Sequence, residues 1–483
     1  MNKKRLKWCS RFLFALMLLL CVLVSLYIFL DEDRPAECML YYLIPLSNGL
    51  FFVILSPFYS RLLTHMSYTL VIGLYFAKYT VVPFFTRLGG YATFVEGSDA
   101  WSYMPAAILL TCYEQIFVAA GLYLSCSREA RIKRTRTGIS GQPTRRFDAC
   151  DMAVLAGTAA VAGILLYYPS LRQNFHLATQ IGEAGNPILE LRSWREIGNG
   201  GTAPLGIVNT LMLMIFKVIH IMLPLMLLEK IWYHVKRRGR ALFYSVLVTG
   251  AALMVMTESN ANSIFIAITL TVLLFYLYPA YAEKYAACVI AGGIGLVLIL
   301  FVRKVNGSTG FSNDATVWNN LSITLNSYLN GPFNLSVVFA MREQYHPLTA
   351  ITETLAELPA GGRLFARYST SVLFNETLWG ISGRTDQLLP AVGQGLLYFG
   401  GGLAPVIPLL FALMSFRFEK MADECQSVKK RGLMLFASVI CAFLIGNNLS
   451  HCLTYFSTYF PAYALLFFSR YKVVFGHVLR VKQ

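Results

Sequence analysis

Charge is scarce in this sequence. Asp, Glu, Lys and Arg make up only 14% of its 483 residues, hydrophobic residues make up 56%, and the mean hydropathy is +0.55. A water-soluble domain cannot bury so large an apolar share. Ten cysteines are scattered along the chain, but no CxxC, HExxH or His-rich tract occurs, which leaves no sequence grounds for a structural metal. Neither long polar segment holds a cysteine, so a disulfide framework is excluded as well. Gly393-Gln394-Gly395 begins like a dinucleotide fingerprint, but Tyr398 stands where a third glycine is required and no strand precedes it. Nucleotide binding and a cofactor are therefore not expected. No internal repeat is visible, which weighs against the two-halved transporters.

What is abundant is apolar sequence in runs of roughly 17–25 residues, the length of a membrane-crossing helix. About 12 spans are expected, near 11–30, 38–56, 66–86, 105–126, 150–168, 204–228, 241–257, 262–280, 286–302, 388–415, 432–448 and 451–469. The first follows "MNKKRLK" without a small-residue cleavage site and is expected to remain as a signal anchor. The formal net charge of +16 does not point to nucleic acid. Basic clusters fall at the N-terminus, at Arg128 to Arg146, at Lys230 to Arg240, at Arg417 to Arg431 and at the C-terminus. With twelve spans and the N-terminus inside, all of these face the cytoplasm, as the positive-inside rule requires. The expected class is an all-α polytopic membrane protein with both termini cytoplasmic. Its parts are a nine-span membrane domain at 1–302 with an outside loop near 169–203, an outside loop at 303–387, and three further spans with a tail at 388–483.

The long second loop carries helical periodicity. Val317, Trp318, Leu321, Leu325, Tyr328 and Leu329 recur on one side, with Asn319, Asn320, Ser322 and Asn326 on the other. That pattern suits a helix lying on the membrane surface, broken by Gly331-Pro332. A second amphipathic helix is expected after Pro347, with Leu348, Ile351, Leu355 and Leu358 as its apolar stripe and Thr349, Glu353 and Glu357 on another face. Arginines gather outside, where that rule disfavours them: Arg172, Arg192, Arg195, Arg303, Arg342, Arg363, Arg367 and Arg384. Guanidinium groups bind phosphate bidentately and keep their charge. As a set they suggest phosphate handling; singly, each is equally explained by a nearby glutamate or a lipid headgroup. Glu353, Glu357, Asp386 and His346 are candidate general bases, against the plain alternative of a solvated helix face. Inside the spans, Lys78, Glu114, Lys217 and His220 are expensive polar groups that face a partner or a cavity. A Lys217–Glu114 pair and a place on a substrate path are equally open readings.

Two local segments sharpen the functional expectation. "NSYLNGPFNLSVVF" from Asn326 holds a Y-x-x-G-P element. "NETLWGISGRTDQLLPAVGQGLLYFGGGLAPVI" from Asn375 re-enters the membrane through an aromatic-Gly-x-x-Gly step at Tyr398 to Gly402, with Arg384 eleven positions before Gly395. Together with the many spans and the late outside loop, these segments make the chain resemble the bacterial O-antigen and capsular repeat-unit polymerases of the Wzy type. The resemblance implies a membrane glycosyltransferase of the bacterial cytoplasmic membrane that joins undecaprenyl-pyrophosphate-linked oligosaccharides without a nucleotide sugar or metal. It also implies a chain-length regulator and a flippase of the same pathway as partners. Arg192, Arg195, Arg342, Arg363, Arg367 and Arg384 would hold the pyrophosphate. An O-antigen ligase and a flippase or exporter of lipid-linked glycan are the alternative expectations.

Overall fold

The computed structural model describes residues 3–93, 95, 98–130, 147–177, 203–256, 260–283, 285–286, 289, 317–329, 331–346, 348–356, 370–380, 387–468, 471–474 and 477–480. Nearly all of them are helical. In chain order the helices are α1 (Lys3–Phe29), α2 (Leu43–Leu55), α3 (Met66–Phe76), α4 (Val82–Leu88), α5 (Met104–Ala130), α6 (Ala149–Tyr167), α7 (Ala203–His234), α8 (Arg238–Met254) and α9 (Asn260–Leu277). They continue as α10 (Val317–Leu329), α11 (Pro332–Met341), α12 (Thr349–Ala356), α13 (Thr370–Trp379), α14 (Ala391–Phe399), α15 (Val406–Glu424), α16 (Val428–Phe443) and α17 (Leu449–Phe468). Two short antiparallel pairs, His176–Leu177 with Val255–Met256 and Tyr471–Val474 with His477–Arg480, are the strands among the described residues.

Among those residues six helical segments are long and apolar enough to cross a membrane: Arg5–Phe29, Ala36–Arg61, Met66–Leu88, Asp99–Arg128, Ala149–Tyr167 and Val208–His234. They coincide with the first six expected spans, and the protein is an all-α membrane protein. Asn262–Leu277 is apolar but shorter. The expected span at 286–302 lies outside the described residues apart from 289 and 286.

The expected span at 388–415 is two helices rather than one. Gly400 ends α14 at φ +76, donating its N–H to the Leu396 carbonyl at 3.0 Å, and the chain turns through Gly401 and Gly402 before α15 begins. A left-handed residue stops an α-helix, and glycine adopts that conformation without a Cβ penalty.

The chain divides into two compact units. The first comprises residues 1–134, 308–419 and 438–457. Here Tyr41, Phe51, Phe52, Tyr68 and Tyr75 are buried, and Phe51 stacks on Tyr75 at 4.7 Å. Helix α10 lies on α4, and its polar face is the one that packs. Asn326 donates to Thr86 Oγ1 at 2.9 Å and Ser322 to the Ala92 carbonyl at 2.7 Å, while Val317 and Trp318 stay exposed. Gly89 permits this approach, since a Cβ there would stand 2.6 Å from the Trp318 carbonyl oxygen. Gly331-Pro332 ends α10 as expected and also starts α11, with proline at a first-turn position where a missing N–H loses nothing.

The second unit comprises residues 135–307, 420–437 and 458–483. Val161, Leu171, Met212 and Ile219 form one of its apolar clusters. Its polar centre is Lys429, buried among Asp148 at 2.6 Å, Asp151 at 2.7 Å and Glu229 at 3.4 Å, with Lys230 adding a 2.8 Å bridge to Asp151. Asp148 and Asp151 also form a capping box that opens α6. Burial opposes the Lys429 charge, but Glu229 and Asp148 outweigh it and hold the ammonium above the ordinary lysine range.

Candidate functional site around Glu353

Helix α12 is amphipathic as its sequence predicts, but it presents its acid inward. Leu348, Ile351 and Leu355 are 61%, 59% and 38% exposed, whereas Glu353 is 1% exposed. One carboxylate oxygen, Oε2, accepts from three donors: the Thr370 hydroxyl on α13, the Tyr398 hydroxyl on α14 at 2.5 Å, and Gln394 Nε2 on α14 at 3.3 Å. The other oxygen, Oε1, is buried and has no hydrogen-bond partner among the described residues. Buried polar atoms are rarely left so, and each exception calls for a physical reason.

Gln394 ties the arrangement together. Its Nε2 also lies 2.8 Å from Tyr398 Oη and 3.3 Å from Ser450 Oγ, and its Oε1 accepts the Leu449 backbone N–H at 2.5 Å at the start of α17. The flanking glycines make room for it. A Cβ on Gly393 would meet Val338 at 2.8 Å, and one on Gly395 would press into the Ala404 carbonyl. The glycines of "VGQGLL" thus serve close packing around a buried amide.

Neighbouring contacts fix the ends of the loop. Asn375 holds the Gln387 peptide from both sides, donating to its carbonyl and accepting its N–H, each at 2.9 Å. Asn334 donates to the Leu388 carbonyl at 3.1 Å, and Asn448 to Ser371 Oγ at 3.2 Å. Tyr345 stacks against Tyr398 with centroids 6.2 Å apart. Burial, then the Glu353 carboxylate, pushes the Tyr345 phenol above the ordinary tyrosine range, so it stays protonated and available as a donor.

The other expected site residues fall elsewhere. His346 is exposed, its Nδ1 accepting the Leu348 N–H at 3.3 Å, and Arg342 is exposed beside it. Glu357, Asp386, Arg192, Arg195, Arg363, Arg367 and Arg384 lie outside the described residues. Within the first unit Glu114 accepts from Tyr75 Oη at 3.2 Å and Tyr79 Oη at 2.8 Å, and Lys78 lies over the Tyr79 ring at 5.0 Å. Lys78 and Glu114 are both buried. Lys78 itself stands in a π-helical turn over Ala77–Val81, a distortion frequent at functional sites. In the second unit Lys217 is half-buried, and His220 Nε2 sits 2.6 Å from the Ala252 carbonyl, a contact that gives this histidine a packing role.

Among the described residues no group of three His, Cys, Asp or Glu side chains could hold a metal ion. The arrangement at Glu353 can instead orient a carboxylate and offer its second oxygen to a hydroxyl. Tyr398 and Gln394 were not among the expected site residues; the GQG step drew attention to backbone rather than to the side chain between the glycines. No family model, curated protein or solved structure matches the chain.

Proposed function

We propose that the chain polymerises undecaprenyl-pyrophosphate-linked oligosaccharide repeat units at the outer face of a bacterial cytoplasmic membrane. The supporting observation is the unpartnered Oε1 of Glu353, a buried carboxylate oriented by three donors on its other oxygen. In this reading the terminal sugar hydroxyl of the incoming unit binds at Oε1. It attacks the anomeric carbon of the growing glycan, and its proton passes to Glu353 as the new glycosidic bond forms. The bond to the lipid carrier breaks and undecaprenyl pyrophosphate leaves. Arg192, Arg195, Arg342, Arg363, Arg367 and Arg384 offset the charge that grows on the departing group. The reading takes twelve spans with the N-terminus inside, an arrangement in which 303–387 and therefore Glu353 face outward. Deletion of the gene should leave single repeat units on the cell surface, or none; unchanged chain length in the deletion strain rules the proposal out. Long polymer accumulating on the carrier would indicate a ligase instead.

A second reading rests on Lys78 and Glu114. A buried acid and a buried base that share contacts with Tyr79 within the spans suit an exporter of lipid-linked glycan coupled to protons. Reconstituted protein that moves labelled lipid-linked sugar across a bilayer without lengthening it would favour that reading.

A further inference from the structure

Outside the Glu353 site, a charged group with buried donors left over is Arg34, just beyond α1 in the first unit. Its Nε and Nη1 are sealed from solvent and meet no acceptor among the described residues. The half-buried carboxylate nearby, Asp31, is already occupied: Oδ1 accepts from Arg87 Nη2 and Oδ2 from Tyr91 Oη, both at 3.1 Å. Arg87 Nη1 goes to Tyr27 Oη at 3.0 Å, and its guanidinium lies 4.3 Å over the Tyr27 ring. Its Nε is a further buried donor without an acceptor among the described residues. Arg34 lies 5.7 Å over the Tyr42 ring, which eases its charge but accepts none of its in-plane N–H groups. The acidic neighbours do not resolve this. Glu32 and Asp33 are exposed, Glu37 is half-buried, and among the described residues none forms an ion pair with Arg34.

The backbone here is held in an unusual state. Tyr91 has φ +58, rare for a residue with a side chain, after Gly90 at φ +59. Its N–H donates to the Thr86 carbonyl at 2.8 Å, and its hydroxyl to Asp31. Such strain collects at binding sites. Two independent spans end at this place. Arg5–Phe29 is 25 residues long, about 37 Å of helix, enough to cross the hydrocarbon and enter the headgroup layer. Arg87 closes the Met66–Leu88 span at the same level.

We propose that Arg34 and Arg87 form a phosphate-binding site at the membrane surface, filled by the phosphate of a lipid. The ligand chemistry is a phosphate oxyanion that accepts from the vacant guanidinium donors. It comes either from a phospholipid headgroup or from a polyprenyl pyrophosphate. The inference stands independently of the role given to Glu353. The exposed rim of Glu32 and Asp33 acts against it at long range and so weakens binding at low salt.

The test uses the full-length protein in uncharged detergent, titrated calorimetrically with inorganic pyrophosphate, dihexanoyl phosphatidylglycerol and farnesyl pyrophosphate. Arg34→Gln should weaken binding about tenfold or more, and Arg34→Lys should recover part of the loss. The double variant Glu32→Gln, Asp33→Asn should bind a few-fold tighter at low salt and lose that advantage at high salt, a gain that a misfolded protein cannot show. Tighter binding of one lipid identifies the source, and equal binding of all three shows that the phosphate alone is recognised. If no probe binds, or if wild type and Arg34→Gln bind equally, the site does not exist.

Discussion

Gly395→Ala adds one methyl group where the structure has no room for it. The new Cβ would press into the Ala404 carbonyl oxygen, with the Ala404 carbonyl carbon at 2.9 Å and its Cα at 3.0 Å. These are backbone atoms of the turn between α14 and α15, so no side-chain rotation relieves the contact. Overpacking of this kind costs about 1–3 kcal/mol. Alanine returns at most about 1 kcal/mol as the better helix former. The net expectation is a destabilisation of roughly 1–2 kcal/mol. Gly401→Ala is the internal control. Its nearest neighbour would be Leu396 Cδ1 at 4.0 Å, ordinary contact distance, and its φ is not positive. That change should be neutral or slightly stabilising. Thermal melting of detergent-solubilised protein, followed as loss of the monodisperse size-exclusion peak, separates the two. Gly395→Ala should melt several degrees below Gly401→Ala, since about 1 kcal/mol moves a medium-sized domain by ~2–4 °C. Equal melting temperatures, or the reverse order, would refute the close-packing role of Gly395. Because Gln394 sits between Gly393 and Gly395, polymer yield should fall along with stability.

Further expectations concern the polar networks. Tyr398→Phe keeps the ring stacked on Tyr345 but removes the 2.5 Å donor to Glu353, and should destabilise by about 0.5–1.5 kcal/mol or more while lowering polymer length in membrane assays. Lys429→Met leaves Asp148, Asp151 and Glu229 without their shared cation, and a loss of about 3–5 kcal/mol should appear as a lower melting temperature. Because the folded pKa of Lys429 is raised, its contribution is fully present below the unfolded lysine value of about 10.4 and is lost only as pH rises through the higher folded value. The Lys429→Met deficit should therefore be flat between about pH 6 and 9; a deficit that shrinks steadily across that window would contradict it. Gly89→Ala should loosen α10 from α4, read as faster amide exchange over 317–329, because its Cβ would meet Trp318 and Ser322 at 2.6 and 2.7 Å.

The membrane class and the first six spans were legible in the sequence because hydrocarbon thickness fixes the length of an apolar run. The periodicity of α12 was legible too, and with it the shared face of Thr349 and Glu353. Which side of that helix points inward was not. In water Leu348, Ile351 and Leu355 would be buried, whereas beside a membrane their exposure is tolerable and Glu353 can take the interior. The same ambiguity hid the packing face of α10, where Ser322 and Asn326 are the buried side chains. The Lys429 cluster is not legible in the sequence because Asp148 and Asp151 stand 281 and 278 residues away. Its one local signal was Asp148-x-x-Asp151 ahead of an apolar run, a helix start rather than a charge site. Arg34 and Arg87 carry no sequence signal beyond standing near the ends of apolar runs, and only the occupied state of Asp31 marks them out. The break after Phe399 was written in Gly400 to Gly402, but a run of glycines between apolar segments reads equally well as a tightly packed single helix.

The most direct measurement is chain extension by purified Glu353→Gln in proteoliposomes supplied with lipid-linked repeat units. Glutamine keeps an acceptor oxygen for Thr370, Tyr398 and Gln394, so the protein should insert and melt close to wild type. It cannot take up a proton, and extension should fall by about 10²–10⁴. A full-length polymer ladder from this variant would contradict the assignment of Glu353 as the general base.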